Sequence, residues 1–327
     1  MCIRDSVKDV IYLNDIAKDM FKSFKDGIKK FETTGIDEID EIFRWNKGDL
    51  NCFYGIGNMG KSAIMSYLLM QKAVLSNWQA IYYTPEQTAH RFYEEAIQMK
   101  VGKPLFGSGK MNDSEYANEM EFINDRFMYL YPQNDAPTPE YICQRFYEAI
   151  KKHNVDVVVV DPWNQMSHRY QGREDEYLSE MLRIFKNFAM KNQVVFNIVC
   201  HTNSRLERNA RGDIDLPFYD RQLAGGNMWG NKCDNIICYH RPYFRSDPTS
   251  NIAIMDSQKV KNQRQGGKRG SKELEFDIKS LRFSVVGGEE QDFEKMEAEV
   301  RNAPLEFRPR EVAVSYTHLT LPTIYSV

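Results

Sequence analysis

Residues 55–62 of the sequence carry glycines, a lysine and a serine in the spacing G-x-x-x-x-G-K-S. In this pattern, backbone N–H groups and the start of the following helix cradle the phosphates of a nucleotide. Lys61 would reach the β- and γ-phosphates, and Ser62 would hold Mg²⁺. The alternative is a chance glycine-rich turn, but an apolar strand pattern at 49–54 and an apolar helix pattern at 63–73 flank the motif. The candidate nucleotide contacts are Gly55, Gly57, Asn58, Met59, Gly60, Lys61, Ser62 and, much later in the chain, Lys261.

An aspartate ends a second apolar run, Val157–Val160. A strand that closes on Asp161 is the Walker B arrangement, in which the carboxylate holds the water shell of Mg²⁺ behind Ser62. Many strands end in Asp at ordinary turns, so this signal depends on the phosphate loop. Together the two motifs predict a nucleotide and Mg²⁺ site.

A glutamate, Glu86, follows the strand pattern at 80–84. It could be the general base that orients water for attack on a γ-phosphate. It could also belong to a helix start, because residues 84–87 read Thr-Pro-Glu-Gln, the composition of a capping box. The triplet Thr-Pro-Glu recurs at 138–140, where we expect only a cap. Position favours the base, since Glu86 follows the strand directly after the phosphate-loop helix.

His201 ends the strand pattern at 194–200. It is either a hydrogen-bonded residue at a strand end or a sensor of the γ-phosphate.

Basic residues gather in three later segments. The run 259–272 has six basic residues and no acid, and its glycines after Arg264 would let Lys261 and Arg264 project across a subunit boundary. The others follow the strands that end at Asp161 and His201, on the predicted ligand face. Cations there could track a single-stranded nucleic acid, or they could lie on ordinary solvated loops. These loop residues are His168, Arg169, Arg173, Arg205, Arg208 and Arg211.

Composition limits the classes of function. A formal net charge of −3 means that any nucleic-acid binding must use local patches. No run approaches the ~18 apolar residues of a membrane span. The six cysteines form no C-x-x-C pair, which predicts reduced, buried thiols in a cytoplasmic protein.

The order of apolar segments predicts an α/β fold. Strands that alternate with helices imply a mostly parallel sheet covered on both faces. The predicted strands are 49–54, 80–84, 127–131, 155–160, 194–200, 235–239, 251–255 and 273–278. Helical spacing over 7–31 predicts a linker helix. The α/β domain is predicted to span 32–287, and 288–313 is predicted to be a charged tail without periodicity. Residues 1–6 and 314–327 resemble translated sequencing-adapter read-through and are left out of the fold prediction.

In this order the motifs resemble the helicase domain of DnaB-type replicative helicases, and most of all its Twinkle-like and phage primase–helicase branch. The resemblance covers about residues 7–286. Beyond the phosphate loop, it rests on residues 33–40, 83–86, 157–161, 200–203, 223–234 and 261–264. One departure is the spacing of the basic pair, which is K-x-x-R here and usually K-x-R in the family.

The resemblance implies a RecA-like core with catalytic roles for Lys61, Glu86, Asp161, His201 and Arg264. It implies a ring, usually of six subunits, with ATP or another NTP between subunits and Arg264 completing the neighbour's site. Single-stranded or forked DNA would pass through the centre, and a primase domain or protein is a further expected partner. Two alternatives remain: a recombinase- or clock-type ATPase without unwinding activity, and a non-catalytic nucleotide-gated DNA scaffold.

Overall fold

The computed structural model describes residues 10–132, 137–168, 172–203, 208, 210 and 212–303. The helices are α1 (Leu13–Asp26), α2 (Asp37–Asp40), α3 (Lys61–Ser76), α4 (Ala89–Val101), α5 (Asp113–Arg126), α6 (Pro139–Lys152), α7 (Glu174–Asn192), α8 (Tyr219–Gln222), α9 (Gly226–Lys232) and α10 (Phe293–Asn302). The strands are β1 (Leu50–Gly55), β2 (Gln79–Tyr83), β3 (Phe127–Tyr129), β4 (Val155–Val160), β5 (Val195–His201), β6 (Asn235–His240), β7 (Ile252–Val260), β8 (Gly270–Asp277) and β9 (Arg282–Val285).

One sheet joins these nine strands in the order β3-β2-β4-β5-β1-β6-β7-β8-β9. Six neighbouring strands are parallel to one another, namely β3, β2, β4, β5, β1 and β6. Beyond β6 the sheet continues with β7, β8 and β9, which pair in antiparallel fashion. The predicted mostly parallel α/β sheet is confirmed, and all eight predicted strands are present. The sequence prediction missed β9, whose four residues carry too short a pattern to be recognised.

Helices cover both faces of the sheet, as the near-continuous apolar strands predict. Alternation along β1 sends Phe53 to the face covered by α3, α4 and α5, and Cys52 and Tyr54 to the face covered by α6, α7 and α9. Each large apolar side chain buried in these layers stabilises the fold by about 1.5–3 kcal/mol. The two layers hold the central strands rigidly from both sides.

The carboxyl ends of four parallel strands meet at one edge of the sheet. Gly55, the last residue of β1, is in register with His201 of β5. The backbone N–H of Asp161, just after β4, donates to the carbonyl of Tyr83 at the end of β2 (2.9 Å). Ligands of open α/β sheets bind at this edge. The fold therefore brings four distant predicted site segments together.

Two regions differ from the sequence prediction. Helix α1 occupies only part of the predicted 7–31 segment. The tail beyond 288 was predicted to lack periodicity, which is wrong for α10. There Asp292 caps the helix by accepting from two backbone N–H groups, and Phe293 is buried against the ring of Tyr67. One cap and one buried aromatic ring fix a helix that its acidic composition hides. The domain boundaries themselves remain predictions.

The cysteines that the structure describes are free and buried, as predicted. Within the same described residues, no helix has both the length and the apolar character needed to cross a membrane.

Candidate active site

The phosphate loop has the backbone shape that its sequence predicts. It connects the central strand β1 to helix α3, which begins at Lys61. Asn58 and Gly60 have positive φ angles of 59° and 98°, so the chain turns sharply before the helix. Gly55 needs to be glycine for another reason: a Cβ there would lie 2.2 Å from the carbonyl oxygen of Tyr239. The loop thus presents the backbone N–H groups before α3 to the open edge of the sheet.

Lys61 lies inside this loop. Its ammonium donates to the carbonyl oxygen of Ile56 (2.7 Å), and the residue is only 4% exposed. Burial lowers the pKa of Lys61, and the neighbouring Asp161 partly opposes this effect. A buried ammonium inside a loop of N–H donors is suited to phosphate oxygens.

Asp161 is buried just after β4, beside Ser62 and Lys61. Burial raises its pKa to about 6, although Ser62 and Lys61 both stabilise the ionised form. A buried carboxylate beside a hydroxyl, with its charge only partly compensated, is the donor set that Mg²⁺ prefers. The residues present therefore fit a Mg²⁺ ion held by Ser62 and Asp161, largely through water.

Glu86 lies in a turn and not in a helix. The backbone N–H of Gln87 bonds the carbonyl of Thr84 (3.2 Å), and helix α4 starts only at Ala89, capped by the side chain of Thr88. The alternative in which Thr84 caps the helix around Glu86 is thus wrong. The matching triplet at 138–140 does start a helix, because Thr138 caps α6.

A residue that the sequence analysis did not single out contacts Glu86. Gln165 lies in a 3₁₀ turn after Asp161, and its side-chain amide donates to a carboxylate oxygen of Glu86 (3.0 Å). The hydroxyl of Tyr83 donates to the carbonyl oxygen of Gln165 (3.3 Å), which fixes the turn. No motif signals this contact, because it joins two loops 79 residues apart in the chain.

His201 faces the phosphate loop from the end of β5. Its Nδ1 lies 3.9 Å from the place where a Cβ on Gly57 would be. Burial lowers the pKa of His201, and the charge of Lys61 lowers it further, so the ring is neutral at pH 7. A neutral imidazole beside the loop can bond a phosphate oxygen through one ring N–H.

Predicted site residues from three segments of the chain line one cleft. A cavity of about 320 Å³ is lined by Ser62, Glu86 and Asp161, among others. Lys61 interacts electrostatically with both carboxylates. The arrangement offers phosphate donors, a metal-binding carboxylate and a second carboxylate for water, which is the set that phosphoryl transfer requires.

Lys261 and Arg264 lie elsewhere. The ammonium of Lys261 pairs with Asp234 of its own chain (2.9 Å), and Asp234 accepts from the N–H of Leu50, at the start of β1 (2.9 Å). The phosphate loop follows the other end of β1, ~16 Å away at about 3.3 Å per residue. The predicted basic pair is therefore remote from the phosphate loop of its own chain.

The predicted DNA contacts are only partly described. Arg173 forms an exposed ion pair with Asp175 (2.6 Å), and Arg208 donates to the carbonyl of Gly212 (3.1 Å). Arg169, Arg205 and Arg211 lie outside the described residues.

His168 is not the cation that the sequence analysis expected. Its ring stacks on Trp163 with centroids 4.3 Å apart, and its Nε2 bonds the carbonyl of the same residue (3.0 Å). Burial lowers its pKa, so the ring is neutral at pH 7. His168 anchors the loop and adds no charge for a nucleic-acid backbone.

Comparison with known proteins identifies the family. Residues 32–285 match the model of the DnaB-like helicase C terminal domain. The chain belongs to this family. The DnaB-like chain is also 25% identical, over 240 residues, to the Twinkle homolog protein, chloroplastic/mitochondrial, of Arabidopsis thaliana. That match covers 71% of this chain and 33% of the relative, so the chain spans about a third of the relative's length.

Solved structures confirm the RecA-like core. A solved ATPase domain superimposes with a TM-score of 0.71 at 13% identity, covering 84% of this chain and 99% of that one. A DnaB-like replicative helicase, whose structure was solved together with its interactions with primase, superimposes with a TM-score of 0.64 at 14% identity. That match covers 84% of this chain and 67% of the other. The predicted resemblance to DnaB-type helicases is thus confirmed, and the domain belongs to a family of nucleotide-using helicases.

Proposed function

We propose that the DnaB-like domain is the motor of a replicative DNA helicase that hydrolyses ATP or another NTP at subunit interfaces and translocates on single-stranded DNA as a ring. The observation that carries this proposal is the cleft lined by Ser62, Asp161 and Glu86, with the Lys61 ammonium interacting with both carboxylates, within a DnaB-like fold.

Each side chain has a separate role in this proposal. Lys61 offsets charge on the β- and γ-phosphates, and Ser62 and Asp161 hold Mg²⁺. A Mg²⁺ ion held there would offset the negative charge that develops on the phosphates. Glu86 accepts a proton from the attacking water, whose oxygen bonds the γ-phosphorus as the bond to the leaving oxygen breaks. His201 bonds the γ-phosphate and senses its loss.

The ring is supported by the position of Arg264. Because Lys261 is anchored beside the start of β1, the turn that carries Arg264 cannot complete the phosphate site of its own chain. A guanidinium suits a transferring phosphoryl group, and such a residue contributes on the order of 10³–10⁵ in rate. Arg264 would therefore act on the neighbouring copy, with Lys261 bracing the turn from within.

Helix α1 is the proposed linker that docks on the next subunit, usually one of six. Its apolar side chains are exposed, including Phe21 (61%) and Phe24 (80%), and none of its residues is buried. A second copy of this chain is the occupant consistent with a ring.

DNA binding is assigned to Arg169, Arg173, Arg205, Arg208 and Arg211, whose segments follow the strands that end at Asp161 and His201. They would contact the phosphate backbone of one strand without reading bases. Primase, as a protein or as part of a longer chain, is the further proposed partner.

The test is ATPase activity with and without single-stranded DNA, together with unwinding of forked DNA. DNA-stimulated hydrolysis with unwinding supports the helicase. Hydrolysis without unwinding supports the recombinase- or clock-type alternative, and nucleotide binding without hydrolysis supports the scaffold.

Lys61→Ala should abolish hydrolysis, because the γ-phosphate loses its main positive charge. The matched control is Lys72→Ala, a second buried lysine on α3, whose partner is Glu32 (3.2 Å). That change should lower stability but leave turnover per folded molecule intact. Turnover that survives Lys61→Ala would refute the ATPase assignment.

A further inference from the structure

The turn that carries Arg264 is packed against its own chain. Residues 261–269, the finger turn, connect β7 to β8. The ammonium of Lys30 donates to the carbonyl oxygen of Arg264 (2.8 Å). The N–H of Phe31 donates to the carbonyl of Gln265 (3.1 Å), and the side-chain amide of Gln265 donates to the carbonyl of Lys29 (2.8 Å). Three hydrogen bonds therefore hold the peptide units around Arg264 on residues 29–31.

The far side of the finger turn is held as well. The carbonyl of Gly266 accepts from the N–H of Arg44 (3.0 Å), and the N–H of Lys268 donates to the carbonyl of Glu41 (2.8 Å). Gly267 has a φ of 98°, and a Cβ there would lie 2.6 Å from the carbonyl carbon of Ile42. A side chain at 267 would therefore not fit, because the backbone of the turn lies close to residues 42–43. The turn lies flat on residues 29–45, which we call the lead segment.

The side chain of Arg264 behaves differently from its backbone. It is exposed, and within the described part of the chain its guanidinium has no hydrogen-bond or ion-pair partner. Lys261, in the same turn, is paired with Asp234. A fixed backbone with a free guanidinium is the arrangement expected of a side chain whose partner lies in another subunit.

We propose that Gln265 and Lys30 are positioning residues for Arg264: they fix its peptide on the lead segment and so aim its guanidinium into the neighbour's nucleotide site. The inference rests on the proposed function, in which Arg264 acts in trans. Residue 29 follows α1 by two intervening residues, so the connection between the linker helix and the ATPase core also sets where Arg264 points.

The test is Gln265→Met, which removes the amide donor and keeps the side-chain length. DNA-stimulated kcat should fall at least about tenfold, because a small misplacement of a positioned group is costly to rate, while the nucleotide KM stays within about twofold. Gln98→Met is the matched control. The amide of Gln98 also donates to a distant backbone carbonyl, that of Lys279 (2.9 Å), but far from the finger turn. Gln98→Met should leave kcat and the nucleotide KM within about twofold of the wild-type values.

Mixed rings separate positioning in trans from local damage. Gln265→Met subunits mixed with Lys61→Ala subunits form interfaces in which an intact phosphate loop meets an intact finger turn. Activity should return there, as it should for Arg264→Ala mixed with Lys61→Ala. Wild-type kcat in Gln265→Met, or a loss that Lys61→Ala subunits do not rescue while they do rescue Arg264→Ala, overturns the inference.

Lys30→Met serves as a second variant if Gln265→Met does not fold, since Lys30 is exposed and bonds the carbonyl of Arg264 directly. The same fall and the same rescue are expected. Failure of the proposed function looks different: Arg264→Ala itself then retains activity or resists rescue, and the positioning role falls with it.

Discussion

Asp161→Asn should make the metal-free protein more stable while it abolishes Mg²⁺-dependent hydrolysis. Burial raises the pKa of the Asp161 carboxyl from 3.8 to about 6. The folded state therefore binds the proton more tightly than the unfolded chain, and stability falls as the pH rises through the window between these values. At ~1.4 kcal/mol per pKa unit, the ionised carboxylate costs the fold up to about 3 kcal/mol at pH 8.

The neutral amide has nearly the same shape and removes this cost. In the presence of a chelator, urea unfolding at pH 8 should show a gain of up to about 3 kcal/mol, equivalent to roughly 5 °C in melting temperature for a domain of this size. At pH 5 the wild-type carboxyl is mostly protonated in the folded state, so the gain should be about half as large. With saturating Mg²⁺–nucleotide, the wild type should be the more stable of the two proteins, because only the wild type binds the metal well.

Asp156→Asn is the control on the same strand. Asp156 pairs with Lys47 and accepts from the backbone N–H of Gln79 (2.9 Å), so its loss should lower stability at pH 8. An Asp161→Asn protein that is less stable than wild type at pH 8, or a gain equal at pH 5 and pH 8, would refute the argument from burial of a partly compensated charge.

Two further predictions concern hydrolysis and DNA. Glu86→Gln should keep nucleotide binding and lower kcat about 10²-fold or more, as expected for a lost general base. The control Glu140→Gln, in the matching triplet, should cost only a few tenths of a kcal/mol of helix stability. Equal kinetics of the two variants would show that Glu86 takes no part in the chemistry. Neutralising Arg205, Arg208 and Arg211 should weaken single-strand binding equally for all sequences and reduce its salt slope by roughly 0.7 per lost phosphate contact. A sequence-dependent loss, or an unchanged slope, would argue against this surface.

The two Thr-Pro-Glu triplets show where local sequence stops being sufficient. Both contain the residues of a helix start, and residues 138–140 do begin α6. At 84–86 the chain instead turns once more after β2, and Thr88 caps α4. The difference arises because β2 lies beside β4, where Tyr83 bonds Asp161 and Gln165 bonds Glu86. A window of a few residues contains neither partner.

Contacts with neighbouring segments also decide the charge of His168 and the structure of the acidic tail. Counted by residue type, His168 is a possible cation, but it is half-buried beside Trp163, and burial lowers its pKa and favours the neutral ring. The acidic tail was predicted to lack periodicity, yet Phe293 is buried against Tyr67 and α10 begins at this residue. Burial depends on neighbours that are distant in the chain.

The sequence by itself determined the phosphate loop, the eight strands it predicted and the resemblance to DnaB-type helicases. These depend on contiguous residues, whose spacing and apolar runs act over a few turns or one strand. Only the tertiary structure decided that Glu86 lies in a turn held by Gln165, that His168 is neutral, and that the finger turn is fixed to residues 29–45. Those features depend on which strands are neighbours and on hydrogen bonds that span up to 236 residues, and such contacts form only when the sheet assembles.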